Sequence, residues 1–139
     1  MSVQTTPHFN FRGEARTALE FYHSIFGGKI SIATYADINA VEDPSQTNLV
    51  AFGDVKAPNG FHIMGYDVQP SKAFDKGINP FYVTLHSTEP EEIKKGWEAL
   101  AKNAKAILIP FGPAPFAPLY GMLTDQFGVT WIVGLVPED

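Results

Sequence analysis

Apolar positions along the chain change period repeatedly, and the changes occur twice in the same order. His8 and Asn10 alternate with Phe9 and Phe11, a period of two that predicts a short strand over 7–11. From Ala15 the apolar residues are Ala15, Ala18, Leu19, Tyr22, Ile25 and Phe26, the spacing of one helical face, and Gly27-Gly28 supplies the stop. Lys29 to Tyr35, Asn48 to Val55 and Phe61 to Tyr66 then predict three strands. The last two are joined by Pro58-Asn59-Gly60 turn chemistry. Between the first two lies a polar, broken stretch, 36–46, read as an exposed loop.

The pattern restarts at Asn79. Phe81 to Leu85 predicts a strand, and Thr88 with Glu91 three residues on predicts a capping box with Pro90 in the first turn. Ile93, Trp97, Leu100, Ala101 and Ala104 make the apolar face of the second helix, leaving Lys94, Lys95 and Lys102 to water. Strands follow over 106–110, 120–124 and 129–135, the last two joined by Asp125-Gln126-Phe127-Gly128. The reading is α+β: βαβββ twice, as modules 1–67 and 79–139 joined by a polar linker, 68–78, in a single domain of 139 residues.

Composition narrows the partners. Ten Lys and Arg against fifteen Asp and Glu give a net charge of −5, with no basic footprint for nucleic acid. No cysteine is present, so disulfides and thiolate metal sites are excluded. The first residues lack a basic and apolar leader, and no apolar run is long enough to span a bilayer. A cytoplasmic protein with no membrane partner is expected.

Three segments, Phe9-Asn10-Phe11-Arg12-Gly13-Glu14-Ala15, Ala18-Leu19-Glu20-Phe21-Tyr22 and Phe26-Gly27-Gly28, resemble the opening of PhnB-like proteins of the glyoxalase/bleomycin-resistance, or vicinal oxygen chelate, superfamily. The segment from Tyr120 to Trp131 is similar to that family's terminal hairpin, with Gln126 where Pro is common. The resemblance implies paired βαβββ modules whose curved sheets enclose a cavity, commonly in a homodimer that exchanges modules between chains. It also implies a divalent metal on inward-facing His and Glu residues. The matching positions here are Thr6, Pro80 and Ile132, which lack the donors and charge of such a site, so no metal or other cofactor is expected.

The remaining candidates are polar residues on strand faces and one unusual segment. His8 and Asn10 share one face, Tyr82, Thr84 and His86 share another, and His62 with Met64 forms a similar pair. Each histidine also has a plainer reading as a structural or rim residue. The span 109–120 contains four prolines with Phe111, Phe116 and Tyr120 and is read as a stiff loop that rims a pocket, buries itself in a dimer, or both. No nucleophile triad and no Gly-rich phosphate cradle is legible.

The leading expectation is a metal-independent homodimer that binds a small apolar or aromatic molecule through His8, Asn10, His62, Tyr82, Thr84, Phe111, Phe116 and Tyr120. One alternative is a metal-dependent lyase or dioxygenase with ligands moved to His8, His62 or Glu42. Another is an oligomeric interaction module with a vestigial cavity.

Overall fold

The computed structural model describes residues 3–137. Among them are β1 (His8–Phe11), α1 (Ala15–Phe26), β2 (Lys29–Thr34), β3 (Val50–Lys56), β4 (His62–Asp67), β5 (Val83–Ser87), α2 (Pro90–Ala101), β6 (Ala106–Ala114), β7 (Ala117–Thr124) and β8 (Thr130–Leu135). Two compact units result, the first running to Lys76 and the second beginning at Gly77. Val68 and Gln69, expected at the start of a linker, are buried in the first unit, where the Gln69 amide donates to Ala40 O and Gln46 Oε1.

Each unit holds a four-stranded sheet in the same order, first strand, fourth, third, second. The first and fourth strands run parallel and the other pairs antiparallel. That arrangement follows from the connections: a helix returns the chain between first and second strands, whereas short turns join the third to the fourth.

One face of each sheet is covered by its own helix. In the first unit Ala15, Ala18, Leu19 and Tyr22 of α1 are buried with Phe11, Val55 and Ile63. Leu19 sits on a glycine pair, Gly53 opposite Gly65; a Cβ on Gly53 would lie 2.2 Å from Leu19 Cδ1. In the second unit Ile93 and Leu100 are buried with Leu123, Trp131 and Val133, and a Cβ on Gly121 would lie 2.9 Å from the Trp97 ring.

Two local expectations change. The second helix is not capped by Thr88: its N-cap is Glu89, which makes no side-chain cap bond, while Ser87 Oγ accepts the Glu89 amide at 2.9 Å and donates to Glu92 Oε1 at 2.7 Å, linking the end of β5 to the first turn of α2. The segment 109–120 is a β-hairpin, not a loop. Pro110 and Pro113 are accommodated because β6 is an edge strand whose pairing with β7 is broken by register shifts between Ile107 and Ala114, Pro115 lies in the turn, and Pro118 precedes the first β7 residue paired with β8, Tyr120.

Candidate functional site

The face of the first sheet turned away from α1 carries the polar groups. Phe9 and Phe11 point to the helix side, where Phe9 meets Tyr22 edge to face at 5.9 Å, so strand alternation puts His8 and Asn10 on the opposite face. His8 pairs with Met64 and Asn10 with Tyr66 across the parallel β1–β4 ladder. His8 Nδ1 lies 3.1 Å from Asn10 Oδ1, and its ring meets Tyr66 edge-on at 5.2 Å. Asp54 and Phe52 reach the same face from β3, the former directly opposite Met64.

His62 stands in this row but not as an open imidazole. Its Nδ1 lies 3.2 Å from Thr6 Oγ1 and its Nε2 lies 2.9 Å from Asp54 Oδ1. The second contact is an ion-pair distance at an angle outside hydrogen-bond geometry, and both atoms are shielded from solvent with no other hydrogen-bond partner. Sequence reasoning missed Asp54 because it sits on a different strand from His62, and only the β3–β4 register brings the two together.

In the second unit the uncovered face holds Thr84, His86, Tyr120, Met122 and Ile132. Thr84 pairs with Ile132, and Tyr120 and His86 both pair with Gly134, while Leu123, Trp131 and Val133 are buried on the side of α2. Phe116, 71% exposed at the hairpin tip, meets Tyr120 edge to face at 4.8 Å. Tyr82 precedes β5 and is partly exposed. Phe111, expected beside these residues, stacks instead on Trp97 of α2 at 5.1 Å, because the irregular β6 register turns it to the helix side.

The positions that would ligate a metal in the superfamily do not fit one. Thr6 brings a neutral hydroxyl already placed against His62, and Pro80 and Ile132 bring no donor. Among the described residues no group of three or more His, Cys, Asp or Glu side chains is placed to hold a metal ion. His8 and His62 have separate partners, Asn10 for one and Thr6 with Asp54 for the other, and Glu42 accepts from Ser71 Oγ at 2.8 Å in the 36–49 loop.

The buried carboxylates serve the scaffold. Asp67 accepts from the amides of Gly13, Ala15 and Val50 at 2.7–3.1 Å, tying the start of α1 and the start of β3 to the end of β4. Its carbonyl accepts from Tyr35 Oη at 2.6 Å, and burial, with the nearby Tyr66, Asp67 and Glu42, pushes the Tyr35 phenol above its usual value. Asp125 accepts from the amides of Phe127 and Val129 and from Trp131 Nε1 at 2.8–3.0 Å.

The family described as 3-demethylubiquinone-9 3-methyltransferase matches residues 3–134. The chain belongs to this PhnB-like family. It is 26% identical to Protein YjdN of Escherichia coli over 96% of this chain and 95% of that one. The structure of protein PA1353 from Pseudomonas aeruginosa superposes with a TM-score of 0.84 at 27% identity, covering 99% of this chain and all of that one. The PhnB protein of Bacillus cereus superposes at 0.73 with 28% identity, covering 96% of this chain and all of that one. The fold is that of the glyoxalase/bleomycin-resistance superfamily, whose solved members share it at lower identity. Among the described residues no helix is long and apolar enough to cross a membrane.

Proposed function

We propose that this PhnB-like chain is a cytoplasmic small-molecule-binding protein that works as a homodimer without a metal ion. The observation that carries the reading is the uncovered face of the first sheet, where His8, Asn10, Tyr66, Asp54 and His62 gather around Met64 and Phe52 on a rigid β platform. A small set of fixed polar groups among apolar and aromatic ones suits a ligand with an apolar body and one or two polar atoms. Asn10 and His8 supply polar contacts, Met64 and Tyr66 a soft floor. On the second unit Tyr82, Thr84, Phe116 and Tyr120 offer the same mixture, so an aromatic ligand is the class favoured.

The family's description names a methyl transfer, which makes a methyltransferase the second reading. Such an enzyme needs a cradle for its cofactor, and the first strand-to-helix turn is already committed, since the amides of Gly13 and Ala15 point to Asp67. That commitment favours binding over transfer.

Native mass spectrometry of gently purified protein tests both. A metal-free dimer that retains an organic mass, lost in Asn10→Ala, is the expected result. About one divalent ion per chain, or retained S-adenosylmethionine, would overturn it.

A further inference from the structure

We infer that the Thr6–His62–Asp54 chain fixes the Thr6 hydroxyl as a hydrogen-bond acceptor, so that the molecule bound on the first unit's open face presents a hydroxyl, amide or ammonium donor there. The inference rests on the binding role proposed above and deepens it by naming the polarity of the ligand.

Nε2 of His62 is 2.9 Å from Asp54 Oδ1, and neither atom reaches solvent. Even off the hydrogen-bond axis, a carboxylate oxygen this close repels a lone pair on Nε2 and attracts an N–H, so Nε2 carries the proton. In the neutral ring the other nitrogen, Nδ1, is then an acceptor. Its neighbour at 3.2 Å is Thr6 Oγ1, which satisfies it by donating its single proton. A hydroxyl whose proton is spent in this way retains only lone pairs for a third group.

Nδ1 of His62 is taken by Thr6 and its Nε2 lies against Asp54 away from solvent, so His62 is a positioning residue, with Thr6 the group that meets the ligand. Thr6 is half-buried and lies just before β1, beside the row formed by His8 and Met64. Other charged groups near His62 on this sheet are Lys56, opposite it on β3, and Lys29, opposite Lys56 on β2. Neither offers an acceptor that would compete for the Thr6 proton.

Two measurements on the full chain test this. A long-range proton–nitrogen NMR spectrum at about pH 8, where a free imidazole is neutral, is expected to show His62 as the Nε2–H tautomer, with the preference weakened in Asp54→Asn. An Nδ1–H tautomer overturns the inference whatever the protein binds. The second measurement titrates isotopically labelled protein with benzyl alcohol and with benzyl methyl ether, which share a ring and differ in the donor. Benzyl alcohol is expected to bind about fivefold to tenfold more tightly, shifting the amides of His8 and Met64, and Thr6→Val is expected to equalise the two at the weaker affinity. Equal affinities in the unaltered protein, or a difference that survives Thr6→Val, overturn the inference and leave the binding role standing. Failure of both probes to shift these amides overturns the binding role, and the inference with it.

Discussion

Asp67 and Asp125 are both buried carboxylates that accept three N–H groups, yet they occupy different places in two units of identical strand order. Asp67 ends the fourth strand and gathers backbone distant in sequence, the turn before α1 and the start of β3. Asp125 lies in the turn between the third and fourth strands of its unit, and the three N–H groups it accepts from Phe127, Val129 and Trp131 lie within six residues. One carboxylate closes a tertiary structure and the other closes a turn. The helix entries differ accordingly: α1 is held from outside by Asp67, whereas the entry to α2 is fixed locally by Ser87, which joins the Glu89 amide to Glu92. A repeated topology thus leaves each copy free to fix its helix entry by a different route.

The largest losses of stability are expected from removing the two carboxylates. Asp67→Ala strands amides on three elements and is expected to cost about 3–5 kcal/mol, against about 2–4 kcal/mol for Asp125→Ala. Urea denaturation followed by far-ultraviolet circular dichroism measures both; a larger loss for Asp125→Ala would reverse the ranking. Both tryptophans, Trp97 and Trp131, belong to the second unit, so their fluorescence follows that unit alone.

The helix seats rank next. Gly53→Ala would set a Cβ 2.2 Å from Leu19 and 2.8 Å from the Gly65 carbonyl, and is expected to cost about 2–3 kcal/mol. Gly121→Ala meets the Trp97 ring at 2.9 Å and Phe111 Cα at 3.0 Å, milder overlaps than the 2.2 Å at Gly53, so about 1–2 kcal/mol is expected from the shift in thermal midpoint. Ser87→Ala removes the hydroxyl that joins the Glu89 amide to Glu92 at the entry to α2 and is expected to cost about 1 kcal/mol, measurable by hydrogen exchange at the Glu89 amide.

The smallest effect is a pH dependence confined to the first unit. The Tyr35 phenol is raised above its ordinary 10.0 by burial, so the unfolded chain ionises first. Its contribution to stability is complete below pH 10.0 and fades as pH rises through the higher folded-state value. Tyr35→Phe is expected to flatten the alkaline limb of a stability–pH curve, and an unchanged limb would remove Tyr35 from the account.

The periodicity of α1 was readable to the residue, because Ala15, Ala18, Leu19 and Tyr22 must recur at one face to be buried together. The twofold βαβββ order was legible for the same reason. The 109–120 hairpin was not, since prolines signal a break and nothing local says that the strand is an edge. Candidate site residues were legible singly, as His8 and Asn10 on one side of an alternating strand. The Thr6–His62–Asp54 chain was hidden, as each member comes from a different part of the first unit and only strand register unites them.

The edge formed by β6 has a consequence for solubility. Ile107, Leu108 and Ile109 are 39–48% exposed on a free edge, the kind of strand onto which a neighbouring molecule readily adds its own. Pro110 and Pro113 carry no amide proton, and the register shifts around them bend the strand out of line. Along this edge a foreign strand therefore finds an unbroken run of only three exposed apolar residues before the first proline, which shortens the template for strand addition.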